Sequence, residues 1–192
     1  ATVTATQVNT GNLRETFDYS AQDFGVDDPE FEDYTFRSTR NSEEVRRFRC
    51  MEVVYNQTMG FLPDRLRGLN FNVAYTRVYA SQRRPNLAPH IVTSRLGYSY
   101  RRFNGFLAMK WRDASPDGSI YGRFKGELTQ FDTGITFKVN NRLSLYVQGR
   151  NITGKPVRWY ESPPGFAEGE NAALRAYEEY GANWVFGIKG TF

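Results

Sequence analysis

The chain carries one cysteine and one histidine in 192 residues. Cys50 alone forbids an internal disulfide, and together with His90 it leaves no Cys/His metal cluster. Lysine is scarce, at five against twenty arginines, and the net charge of +4 is too small to imply a nucleic-acid partner. Long apolar runs are missing too. No stretch approaches the roughly 20 residues that a bilayer-crossing helix needs. There is no signal peptide and no initiating methionine. The opening Ala1-Thr2-Val3-Thr4 already reads as strand, so the expectation is a mature or truncated chain. A Gly-rich phosphate loop, an H-E-x-x-H pair and a nucleophile elbow are all absent, and His90 has no neighbouring motif for a Ser-His-Asp triad. Glu127 and Asp132 fall on opposite faces of a strand running through both, which counts against a paired-carboxylate site. No enzymatic activity, cofactor or resident metal is expected.

What is present is aromatic and alternating. Aromatic residues reach 16% and hydrophobic ones 40%, yet the mean hydropathy is −0.61. That combination excludes wholesale disorder and helical spans, but it fits β-barrel spans, whose alternate residues are polar. The period is two almost everywhere. In 69–79, Leu69, Phe71, Val73, Tyr75 and Tyr79 oppose Asn70, Asn72, Ala74 and Thr76. Runs of the same kind occupy 103–112 (Phe103, Leu107, Met109, Trp111), 131–139 (Phe131, Ile135, Phe137, Val139) and 143–150 (Leu143, Leu145, Val147). The stretches 90–100 and 45–61 are less clean. Helix propensity is confined to Ala172–Tyr180, inside a connection.

Connections alternate in length. Asn140-Asn141 is a two-residue hairpin signal, Arg101-Arg102 with Asn104-Gly105 marks a second tight reversal, and Pro63-Asp64 through Gly68 a third. Between them lie long connections at about 80–89, 113–127 and 154–182. Short turns on one edge and long loops on the other is the pattern of outer-membrane barrels. With the apolar faces in lipid, Tyr79, Trp111 and Trp184 mark the outer girdle; Phe61, Tyr100, Phe103, Phe137 and Phe192 mark the inner one.

The last nine residues, Trp184-Val-Phe-Gly-Ile-Lys-Gly-Thr-Phe192, end on an aromatic after alternate apolar positions. They resemble the C-terminal signal by which the bacterial outer-membrane assembly machinery engages barrels, carried here by Trp184, Phe186, Ile188 and Phe192, although Gly190 departs from it. The stretch Leu143-Ser-Leu-Tyr-Val-Gln-Gly-Arg-Asn-Ile-Thr-Gly-Lys-Pro156, a long polar loop and the Trp184–Phe192 strand look like the closing hairpin of TonB-dependent receptors. Cys50-Met-Glu52, Leu62-Pro63 and Leu66-Arg-Gly-Leu69 are also similar to that family, with Cys50 where it usually has Gly. The likeness covers most of 30–192.

The resemblance implies an all-β fold, with 1–192 as the C-terminal part of an antiparallel, up-and-down transmembrane barrel. About eight strands of a plugged barrel of about 22 are expected, with short periplasmic turns and long extracellular loops. The strands 1–8 and 34–61, the latter long and interrupted, complete the set. It further implies the bacterial outer membrane as location, and lipid, lipopolysaccharide, the assembly machinery and TonB as partners. TonB would act through a plug domain that this chain does not carry. The implied function is energy-coupled uptake of a bulky nutrient, a ferric chelator or oligosaccharide. Two other readings stay open: a complete eight-stranded barrel with a structural or adhesive role, and a soluble carbohydrate-binding β-sandwich.

Candidate ligand-binding residues are of two kinds. Arg95, Lys110, Arg112 and Arg150 point to the polar side and would favour anionic solutes or hold a plug by salt bridges. Trp159 and Tyr160, with Phe166, Tyr177 and Tyr180, sit in the long last loop, where aromatics stack on sugars or flat chelators or pack the loop itself. The acids Asp27, Asp28, Glu30, Glu32 and Asp33 in the loop 9–33 offer oxygen ligands for Ca²⁺ or form a solvated loop. The basic run Arg37, Arg40, Arg46, Arg47 and Arg49 attracts phosphates or pairs with those acids. Asn56 and Asn151 match the glycosylation sequon but fall in strand-like positions.

Overall fold

β-Branched and aromatic residues at alternate positions build strands through most of the chain. A computed structural model describes residues 1–10, 14–31, 34–41, 46–81, 84–118, 122–166 and 169–190. Its strands are β1 (Thr2–Thr10), β2 (Arg14–Tyr19), β3 (Phe36–Asn41), β4 (Arg46–Thr58), β5 (Leu69–Ala80), β6 (His90–Tyr100), β7 (Phe103–Arg112), β8 (Ser115–Pro116), β9 (Arg123–Lys125), β10 (Leu128–Lys138), β11 (Leu143–Arg150), β12 (Val157–Glu161), β13 (Ala173–Glu178) and β14 (Asn183–Gly190). Two single-turn 3-10 segments accompany them, and no α-helix occurs among the described residues. The chain forms two compact units. One comprises Ala1–Thr6, Arg49–Tyr79 and Arg83–Phe192; the other comprises Gln7–Phe48 and Ala80–Gln82.

The main sheet has eight strands in the order β1-β4-β5-β6-β7-β10-β11-β14, with antiparallel pairing throughout from β5 to β14. The sheet is open, with β1 and β14 as its edges, and does not close into a barrel. Neighbours in sequence are neighbours in space, apart from strands set into the connections. Those connections alternate. Residues 59–68, 101–102 and 139–142 reverse the chain tightly on one edge, while 81–89, 113–127 and 151–182 are long on the other.

The interrupted stretch 34–61 holds β3, paired with β2 in a two-stranded sheet, and β4, next to β1 in the main sheet, with 42–45 outside the described residues. Four expectations need correction. Phe24 packs edge-on against both Tyr19 and Phe36, at 5.5 and 5.7 Å, and so closes that hairpin; the loop 9–33 thus contains a strand. Ala173–Glu178 is strand, since pairing with β12 outweighs a weak local helix preference. Asn140-Asn141 is not a two-residue turn. Val139 N–H donates to Leu143 O at 2.9 Å, and the Asn140 side chain accepts from the N–H groups of Arg142 and Leu143 at 2.8 and 2.9 Å. The second reversal is narrower than expected: Tyr100 pairs directly with Phe103, so Asn104-Gly105 lies inside β7.

Register places the two kinds of residue on opposite faces. One cross-strand row reads Leu69, Tyr98, Gly105, Ile135, Val147, Phe186, and the next reads Phe71, Leu96, Leu107, Thr133, Gly149, Trp184. Tyr100, Phe103 and Phe137 form a further aromatic row near the short turns. The other face carries Asn70, Gly97, Phe106, Gly134 and Gln148, then Asn72, Arg95, Ala108 and Asp132.

Among the described residues no second layer covers the apolar face. Among the described residues no large side chain is fully buried. Leu96, Leu107, Ile135 and Leu145 are each 44% exposed, and Phe186 and Ile188 are 71% and 70% exposed. Fully burying such a side chain is worth about 1.5–3 kcal/mol. Leaving six of them half uncovered forfeits roughly 5–9 kcal/mol, which rivals the entire net stability of an ordinary domain.

Candidate functional site

Two of the long connections, 113–127 and 151–182, contribute strands of their own. β8 and β9 from 113–127 join β12 and β13 from 151–182 in a four-stranded sheet of order β13-β12-β9-β8. Asn151 organises the approach to it. Its backbone N–H donates to Asp132 at 2.8 Å, its side-chain amide donates to Lys155 O at 3.0 Å and Gly181 O at 3.3 Å, and its side-chain oxygen accepts from Lys155 N–H at 3.1 Å. With φ of 48°, Asn151 adopts the left-handed conformation that Asn tolerates best among residues bearing side chains. The amide of that sequon is therefore engaged in the fold, and Asn56 likewise accepts from the Asn72 side chain.

Lys155 and β12 then form one side of a cleft of about 420 Å³. Asp113 and Ala114, just past the end of β7, together with Phe124 and residues 126–129 form the rest. Phe124 and Tyr160, opposite each other in register, stack at 5.4 Å with 17° between the rings. The Tyr160 ring also lies across Gly126, where a Cβ would come within 2.8 Å of its Cε2. Asp113, Glu127, Lys155 and Arg158 supply two charges of each sign. Asp113 accepts from Ala114 N–H at 2.8 Å. Among the described residues, the side chains of Glu127, Lys155 and Arg158 and the Tyr160 hydroxyl have no hydrogen-bond partner.

Trp159 faces the other way from Tyr160. Lys125 Nζ stands 5.9 Å from its ring, and on the same side Arg123 and Arg175 hold Glu161 at 3.0 and 3.3 Å. The two aromatics named together in the sequence thus serve different faces of β12, and Tyr160 alone lines the cleft. Phe166 is exposed outside it. The Tyr177 hydroxyl donates to Glu179 and that of Tyr180 to Glu178, which raises both phenols above their ordinary range.

Of the four cations expected on the polar face, Arg95, Lys110 and Arg112 share one face of the adjacent strands β6 and β7 and Arg150 lies on β11, and none of them lines the cleft. Arg95 lies over the Phe106 ring at 3.7 Å. Lys110 stands opposite Thr93 and Gln130, Arg112 reaches Ser115 Oγ at 3.4 Å, and Arg150 is opposite Asn183. None of the four forms an ion pair among the described residues. A groove of about 770 Å³ lies nearer the short turns on β10, β11 and β14, lined by Lys138, Arg142, Tyr146 and Lys189 among others and by no carboxylate. Sequence reasoning missed this group, although the alternation of Lys138 and Lys189 carries it.

Trp184, Phe186 and Ile188 share the apolar face of the edge strand β14, opposite Gly149, Val147 and Leu145; Phe192 lies outside the described residues. In the second unit, Asp23 accepts from Ser20 N–H and Oγ, and Asp28 from Glu30 N–H. These acids shape turns, and among the described residues no group of three or more metal-ligating side chains occurs. Glu32 and Asp33 lie outside the described residues. Arg37 pairs with Asp18 on the partner strand at 2.8 Å.

Fold and site together define an all-β protein with an open antiparallel sheet and a polar, aromatic-walled cleft in its long connections. No protein-family model matches the chain, and no curated protein or solved structure is significantly similar to it.

Proposed function

We propose that the chain is the C-terminal part of the barrel wall of an outer-membrane receptor similar to the TonB-dependent kind, serving energy-coupled uptake of a bulky nutrient. The observation that carries this reading is the uncovered apolar face, with Leu96, Leu107, Ile135 and Leu145 open across four adjacent strands. Lipid restores what water forfeits there. β6, β7 and β10, of 11, 10 and 11 residues, match the roughly 9–11 residues of a tilted spanning strand. In this reading the polar face lines the lumen, the tight reversals face the periplasm and the long connections face outward. The open edges β1 and β14 pair with strands supplied from outside this chain, since unpaired edges are costly in a bilayer. TonB acts through a plug domain, and the β14 aromatics with Phe192 engage the assembly machinery.

A complete eight-stranded barrel would need β1 bonded to β14, and a soluble sandwich would need a second sheet over the apolar rows. The open order and the exposed rows favour neither. The test is fractionation of cells exporting the chain to the periplasm. Recovery with outer membranes, resistant to alkaline carbonate extraction, supports the proposal. A folded monomer in the aqueous fraction without detergent sinks it.

A further inference from the structure

The cleft in the long connections has a chemistry of its own, and we propose that it binds a neutral oligosaccharide. This rests on the uptake reading only in naming the ligand class at its outward end. Four observations converge. The volume of about 420 Å³ lies in the lower part of the roughly 300–1,000 Å³ range of small-molecule clefts, enough for a short glycan segment. Its aromatic wall is fixed in advance: Tyr160 is braced by Phe124 on one side and by the bare backbone of Gly126 on another, so little side-chain freedom is lost when a sugar face stacks on it. Its charges cancel, Asp113 and Glu127 against Lys155 and Arg158, which gives no net attraction to an anionic chelate.

Those same groups are the complement of a diol. Each sugar hydroxyl both donates and accepts; the carboxylates accept from it and the cations donate to it in charge-assisted bonds. Glu127, Lys155 and Arg158 are exposed, and among the described residues their side chains make no hydrogen bond or ion pair, Arg158 only facing the Tyr177 phenol electrostatically, so a ligand need not break such bonds to reach them.

The experiment is a glycan array of neutral and acidic oligosaccharides, probed with the full chain refolded in detergent. Fold is checked by far-UV circular dichroism, and ferric citrate serves as the anionic-chelate competitor. Binding to neutral glycans that is at least tenfold weaker in Tyr160→Ala and about tenfold weaker in Glu127→Gln is expected. Glu127→Gln touches only an exposed side chain, so it remains informative if Tyr160→Ala fails to fold. Binding confined to acidic glycans, displacement by ferric citrate, binding indifferent to Glu127→Gln, or no binding by folded chain overturns the proposal. Failure here with the chain still held in outer membranes removes the ligand class and leaves the barrel reading standing.

Discussion

Phe106 lies across the bare α-carbon of Gly134, its cross-strand partner, so closely that a Cβ there would come within 2.5 Å of the ring's Cε1. The arrangement repeats. Tyr146 covers Gly187 and Trp184 covers Gly149, each again in register. A ring laid over glycine protects backbone that would otherwise be open, and packs where a strand glycine offers no side chain. Phe106 in turn supports Arg95, whose guanidinium stacks on it at 3.7 Å.

Gly134→Ala is accordingly expected to displace the Phe106 ring and cost about 1–2 kcal/mol by denaturant titration. The ring is the far end of a movable side chain, so Phe106→Leu in the same chain should recover part of the loss. Equal stability of Gly134→Ala and the parent would remove the packing role.

Gly68→Ala is a harder case. A Cβ at 68 would sit 1.7 Å from the backbone oxygen of Ser99, whose N–H donates to Gly68 O at 3.0 Å. No rotamer relieves that clash, so the loss should exceed that of Gly134→Ala and reach about 3 kcal/mol or abolish folding. Thermal unfolding of the two variants side by side ranks them.

Adjacent residues on opposite faces test the lipid assignment. Leu107→Arg places a charge on the apolar face and is expected to cost about 2–4 kcal/mol in detergent or lipid. Ala108→Arg, one position on and on the face of Arg95 and Asp132, should cost under about 1 kcal/mol. Insertion yield into lipid vesicles measures both, and equal yields would contradict the assignment.

The β2–β3 hairpin should loosen in acid. The hydrogen bond from Arg37 lowers the Asp18 carboxyl below its ordinary range, so its stabilising contribution is fully present above the unfolded value of about 3.9 and fades as pH falls through the lower folded value. Arg37→Gln should return Asp18 toward that unfolded value in a carboxyl NMR titration. The pair is exposed, so the change belongs to local opening and not to global unfolding.

Much of the main sheet was legible because period-two alternation is a local property. The bounds of β6, β7 and β11 coincide with the alternating runs at 90–100, 103–112 and 143–150, and both faces follow from residue parity alone. The alternation of short and long connections was legible for the same reason, from turn residues such as Arg101-Arg102. Strands within the connections were not. β9 and β13 are short, carry no clean alternation, and exist because β12 lies between them.

The cleft shows the same division. The sequence by itself determined that the chain is all-β, that one face of its strands is apolar and the other polar, and that aromatics gather in the last long connection. Only the tertiary structure decided that Tyr160 and Trp159 part company, that Phe124 meets Tyr160, and that Asp113, Glu127, Lys155 and Arg158 share one cleft. Strand parity is encoded residue by residue. Convergence of segments some thirty to forty-five positions apart depends on which strand edges pair, and backbone hydrogen bonds carry no mark of their partner in the side chains that flank them.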